Sequence, residues 1–147
     1  LDTTKFKGGW RDDMAKLEYV EGIGEKYAKK LAAGGISTTN DLLDVGSTPS
    51  GRKEIEKKSG ISGKLILEWV NHVDLFRIKG VGQEYADLLE ESGVDTIPEL
   101  AQRNAENLHA KMVEVNESKK LVRQLPSLNK VTDWVAQAKE LPRIIKY

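Results

Sequence analysis

No cysteine occurs in the 147 residues, which excludes disulfides, thiolate metal sites and cysteine nucleophiles. Histidine is almost as scarce: His72 and His109 are the only two, leaving little for metal or acid–base chemistry. Neither sign of charge is in excess, since Lys+Arg and Asp+Glu both number 23. A binder that works by bulk positive potential is thereby excluded. No apolar run approaches the ~18 residues a membrane helix needs, and no signal-peptide pattern is present. What the chain does have is 39% hydrophobic and 31% charged residues, the balance of a globular domain with a densely charged surface. The expectation is a soluble, cytoplasmic helical protein without a cofactor. It begins at Leu1 rather than Met, as a piece of a longer protein would.

An internal repeat organises the sequence. Residues 20–42, VEGIGEKYAKKLAAGGISTTNDL, align without a gap with residues 78–100, IKGVGQEYADLLEESGVDTIPEL, at an offset of 58. Eight of 23 positions are identical, where ordinary composition would match about one or two. A weaker echo follows each copy: ILEWVNHV at 66–73 and VTDWVAQA at 131–138 place Trp69 opposite Trp134 at an offset of 65. Each unit therefore opens on a Gly-hydrophobic-Gly turn and closes on a Trp-bearing helix. A lone unit of about 60 residues would bury little surface. We expect two halves, 1–75 and 76–147, packed into one domain with the seam near Val73 to Ile78.

The patterning is helical throughout. Asp12 and Asp13 precede Met14, Leu17 and Val20 at amphipathic spacing, and Gly22-Ile23-Gly24 interrupts that helix. The next carries Tyr27, Ala28 and Leu31 on one face and stops at Gly34-Gly35. Thr38 with Asp41, and Thr96 with Glu99, predict capping boxes. Pro49-Ser50-Gly51 reads as a turn before a polar helix ending at Gly60, and Ser62 opens a long helix bearing Ile66, Trp69, Val70, Val73 and Phe76. Further helices are expected near 82–92, 97–103, 105–116 and 128–140, with Pro126 and Pro142 as breaks.

Val20-Glu21-Gly22-Ile23-Gly24 and Ile78-Lys79-Gly80-Val81-Gly82, each followed by a helix, resemble the helix-hairpin-helix motif. Two glycines allow a tight bend and a close approach, while Ile23 or Val81 plugs the helices together from within. The amides opening the second helix are unpaired, and the helix dipole favours an anion there. In the helix-hairpin-helix family that anion is a backbone phosphate, and the motif positions without reading bases. The resemblance lands on Gly22, Ile23, Gly24, Gly80, Val81 and Gly82.

Flanking charge separates the two copies. Lys26, Lys29 and Lys30 against Glu25 give residues 22–35 a net +2, whereas Glu84, Asp87, Glu90 and Glu91 give residues 80–93 a net −4. At a screening length of ~10 Å those four carboxylates repel an approaching phosphate. The first hairpin, with Lys26, Lys29 and Lys30, is the candidate site; the second reads as structural or as facing a basic partner. Residues 51–64 hold five bases and two acids, a possible extension of the same strip.

Other chemistry finds little support. Ser50-Gly51-Arg52-Lys53 and Ser127-Leu128-Asn129-Lys130 match a Ser-x-x-Lys nucleophile motif without its companions, and helix capping accounts for the serines better. Asp95 follows Gly93-Val94 in the manner of some DNA glycosylases, but lacks their Gly/Pro-rich stretch and reads as part of a helix start. Trp69 and Trp134 read as core rather than base-stacking residues, with Tyr27 and Tyr85 packed beneath the glycines.

The chain as a whole resembles the proteins grouped as domain of unknown function 4332. The likeness rests on GIGEKYAKKLAAGGISTTNDLL, on the block from GISGKLILEWVNHV to IPELAQRN and on the closing DWVAQAKELP, and covers nearly everything after about residue 17. It implies an all-α fold of two tandem helix-hairpin-helix-like repeats of SAM-like architecture, with no assigned activity. The function expected is non-enzymatic, non-specific binding of duplex DNA or structured RNA. A protein-interaction or self-associating scaffold module, its hairpins serving packing only, is the alternative.

Overall fold

A computed structural model describes residues 12–147 of the chain. Within them, short polar side chains start most of the helices. Thr38, Thr48, Ser62, Thr96, Asn104 and Ser127 each accept the amide three residues on, opening α2 (Thr39–Gly46), α3 (Pro49–Ser59), α4 (Gly63–Leu75), α6 (Ile97–Gln102), α7 (Ala105–Lys119) and α8 (Leu128–Glu140). The remaining two, α1 (Glu25–Ala33) and α5 (Gln83–Glu91), begin on Gly24 and Gly82 and have no side-chain cap. The described residues form an all-α domain of eight α-helices, without strands beyond one isolated bridge between Lys16 and Thr38. None of these helices is long and apolar enough to cross a membrane.

Helices α1–α4 and α5–α8 correspond one to one. In each half the third helix packs on the first and fourth, and the second packs on the fourth. The seven extra residues of the second copy fall in α7, longer than α3, and in the loop before α8, partly offset by a shorter α6. One hydrophobic core runs through both halves from Met14 to Ile145 and contains Trp69 and Trp134, each 2–3% exposed. Tyr27 meets Trp69 edge-on at 5.1 Å between ring centroids, and Tyr85 meets Trp134 at 5.2 Å. The expected packing of both tyrosines beneath the hairpins is thus what the structure has.

Several local expectations need correction. Residues 12–20 do not form one amphipathic α-helix. They form two 3-10 segments, Asp12–Ala15 and Leu17–Tyr19, broken at an extended Lys16. Tertiary bonds override periodicity here: Lys16 bridges Thr38, and the Thr39 hydroxyl donates to the Met14 carbonyl at 2.6 Å. Pro49-Ser50-Gly51 is the first turn of α3 rather than a preceding turn, because proline at N1 lacks only an amide that would be unpaired anyway. Ser50 therefore caps nothing, whereas Ser127 does cap α8. The Thr38–Asp41 box is complete. In its repeat partner the Glu99 carboxylate takes the Thr96 hydroxyl proton, so that box stays half-formed. Thr96 still caps α6, as its spacing to Glu99 predicts.

Candidate nucleic-acid interface

The first hairpin is built from a glycine that must be glycine and one that need not be. Gly22 sits at φ +91°, and a Cβ there would lie 3.3 Å from Trp69 Nε1. The bend lets the Ile23 amide reach the Val20 carbonyl at 3.0 Å and sends the Ile23 side chain into the core, 3% exposed. Gly24 is extended, at φ −91° and ψ −174°, and a Cβ on it would meet nothing within 4 Å. Neither backbone conformation nor internal packing requires glycine at position 24. Its carbonyl accepts the Ala28 amide at 2.9 Å, while among the described residues no side chain is bonded to the amides ahead of Ala28. Lys26, Lys29 and Lys30 are all exposed. Lys29 pairs with Glu25 in open solvent and Lys30 lies 5.8 Å from the centre of the Tyr27 ring.

The second hairpin repeats the bend, but the first amide of its helix is taken. Gly80 has φ +96°, with Trp134 Nε1 3.1 Å from where its Cβ would be, and Val81 is buried like Ile23. Here, however, the Tyr19 hydroxyl accepts the Gln83 amide at 3.1 Å, and Gln83 Nε2 donates to the Glu21 carboxylate at 2.6 Å. These two bonds bring both hairpins side by side, joining the residue before Gly22 to the residue after Gly82. Gln137 fixes the second turn to α8 by accepting the Lys79 amide at 2.8 Å and donating to the Lys79 carbonyl at 3.1 Å. The sequence reading missed Tyr19, Glu21, Gln83 and Gln137. Gln137 stands at the repeat position of His72, whose Nδ1 faces Glu90 instead of the first turn, so the repeat offers no cue to its role.

Electrostatics reinforce the asymmetry. Burial pushes the Asp87 carboxyl above its ordinary 3.8; neighbouring His72 pulls it down, and Glu21, Glu90 and Glu91 push it further up. A raised folded-state pKa means that the folded chain holds this proton more tightly than the unfolded one. The stability involved is present in full below 3.8 and lost as pH rises through the folded value. Asp87→Asn should therefore raise the melting temperature at pH 7 by about 1–3 °C, and the gain should shrink as pH falls and be gone only well below 3.8. A gain that persists undiminished at pH 3 would contradict this electrostatic account.

The family model described as Domain of unknown function (DUF4332) matches residues 21–141. The chain belongs to that family. No curated protein and no solved structure matches it. The DUF4332 match opens one residue before Gly22 and closes at Leu141, so it takes in both hairpins and all eight helices.

Within this DUF4332 frame the proposed extension of the basic strip is thinned by internal use. Arg52 donates from Nη1 to the Gly46 carbonyl and from Nη2 to the Lys146 carbonyl, each at 2.8 Å, anchoring the C-terminal segment. Lys58 pairs with Glu54 at 3.1 Å. Lys57 and Lys58 sit in the last turn of α3, where they also complement its dipole. Of the histidines, His109 Nε2 lies 2.9 Å from the Pro126 carbonyl and His72 Nδ1 lies 3.1 Å from Glu90. Among the described residues no three His, Asp or Glu side chains could hold a metal ion.

Proposed function

We propose that the chain is a non-enzymatic module of two tandem helix-hairpin-helix repeats whose first hairpin holds the backbone phosphates of DNA, or of structured RNA, without reading sequence. The observation that carries this reading is the bare start of α1. A chain that caps six helices with side chains leaves this one open, behind a Gly24 that the fold does not require and ahead of three exposed lysines. Such an end supplies amide donors and a favourable dipole to an oxygen anion, and the missing Cβ allows a phosphate to come close. The first copy departs from the motif in one respect: a 3-10 segment, Leu17–Tyr19, stands where its first helix would be.

With four or five phosphate contacts at most, affinity would be on the order of 10⁻⁴–10⁻⁶ M at physiological salt and steeply salt-dependent. Lys26→Glu combined with Lys30→Glu should abolish retardation of a DNA duplex at about 20 mM salt, and Glu84→Ala should leave it intact. Retention of parental binding by the double variant would overturn the assignment.

A second reading, a protein-interaction or self-associating scaffold, is favoured by the second hairpin, whose leading amide is already taken by Tyr19 and whose flank is acidic. Light scattering at high concentration separates the two readings: concentration-dependent mass without a salt-graded DNA complex supports the scaffold.

A further inference from the structure

A cavity of about 210 Å³ opens beside the first hairpin, where α4 of one half faces α5 of the other. Leu65 and Trp69 form its apolar wall. Glu21 from the turn, Glu68 from α4, and Asp87 and Glu90 from α5 supply carboxylates. No Lys or Arg among the described residues makes an ion pair with any of these four. His72 lines the same cavity on the Trp69 face of α4 and is 4% exposed. Its Nδ1 faces Glu90 at 3.1 Å, and its Nε2 is buried with no hydrogen-bond partner. In the neutral tautomer whose Nδ1–H donates to the Glu90 carboxylate, Nε2 is an acceptor lacking a donor.

The second half provides an internal comparison. A cavity stands at the matching place beside Gly80 and Trp134, but Lys79 and Lys130 offset its Asp133. Gln137, which replaces His72, is satisfied there by the Lys79 backbone and by Asp133. Only the first cavity combines uncompensated carboxylates with an orphaned acceptor.

We propose that this first cavity binds an alkylammonium group, supplied either by a lysine side chain of a partner protein or by a free polyamine. The ammonium answers each feature: its charge meets the carboxylates, its N–H groups reach Nε2, and its methylenes lie along Leu65 and the indole. Its volume is below the ~300–1,000 Å³ of ordinary small-molecule sites and suits one unbranched chain. A bare metal ion is a poor fit, because no three of the acidic and histidine side chains converge. The inference stands apart from phosphate binding, which uses α1 and the opposite charge.

Two-dimensional NMR of the whole chain at low salt tests it, with spermidine as one probe and a lysine-containing peptide as the other, its acetyl-lysine form serving as control. Expected is a saturable shift of the Trp69 indole N–H while the Trp134 indole stays in place, for spermidine, the lysine peptide or both; the tighter probe identifies the source. Glu68→Gln with Asp87→Asn should weaken binding about tenfold, an unchanged amide spectrum confirming that the variant is folded. Non-saturating shifts with both probes, equal movement of Trp134, or undiminished affinity in the folded double variant would overturn the proposal.

Discussion

Gly51→Ala should lower the melting temperature by roughly 10 °C, although alanine is preferred over glycine inside a helix by about 1 kcal/mol. Propensity and packing point in opposite directions here, and the magnitudes decide. Gly51 lies in the first turn of α3, its amide bound to the Thr48 cap at 3.1 Å. A Cβ on it would stand 1.8 Å from the Val45 carbonyl oxygen and 2.9 Å from the carbonyl carbon. Those atoms are backbone of α2, so no rotamer change relieves the clash. The two-residue connection Ser47-Thr48 leaves the helices no slack, and Gly46 meanwhile rests on Val70 of α4. Relief requires parting α2 from α3, at a net cost on the order of 3 kcal/mol. Gly63→Ala is the control. It opens α4, its added carbon would meet only the Glu56 carboxylate at 3.5 Å, and it should be neutral or slightly stabilising. Thermal unfolding of the two variants side by side checks the expectation; a Gly51→Ala protein as stable as the parent would mean that α2 and α3 are not joined this closely.

The same residue shows where sequence reasoning stops. Pro49-Ser50-Gly51 reads as a turn because each residue is a turn former, and only the carbonyl of Val45 explains why glycine stands inside a helix. By contrast the repeated turn was legible, since a Tyr five residues after the Gly, and a Trp on the closing helix, make one packing unit: the indole fills the space under a Cβ-less bend and the tyrosine ring meets its edge. The Thr38–Asp41 box was legible because its bonds are local. Long-range bonds were not. Nothing near Tyr19 in sequence announces that its hydroxyl covers the Gln83 amide 64 positions away. Nor does the basic run at 51–58 reveal that Arg52 is committed to the Lys146 carbonyl. The candidate site divides in the same way. The turn and its lysines follow from the motif, but the unequal exposure of the two helix starts depends on which distant side chain reaches each.

Removing either member of the Asp74–Arg77 pair should cost about 3–5 kcal/mol, and removing both should cost less than the two losses added together. Both side chains are 3% exposed, with Arg77 Nη1 2.9 Å from the Asp74 carboxylate. Burial pushes the Asp74 carboxyl above 3.8 and Arg77 draws it back, so desolvation outweighs attraction for this acid. The pair is therefore weak evidence of stability while intact, yet either charge left alone in the interior is expensive. Arg77 has a further task. Its Nη2 donates to the Pro142 carbonyl at 2.8 Å, where the chain leaves α8 and crosses back to the first half. Beyond that point Ile145 is buried, the Lys146 amide reaches the Ser47 carbonyl at 2.7 Å, and the Tyr147 hydroxyl donates to Asn71 at 2.7 Å. Losing Arg77 thus strands Asp74 and unclips a strap that ties the end of the second half to α2, α3 and α4. Losing Asp74 leaves the strap's carbonyl bond in place. Urea unfolding of Arg77→Met, Asp74→Leu and the double variant separates the two effects. Hydrogen exchange at the Lys146 amide should accelerate in both variants lacking Arg77 and remain close to parental in Asp74→Leu. Strictly additive losses, or equal exchange in all three variants, would mean that the pair and the strap are not coupled through this guanidinium.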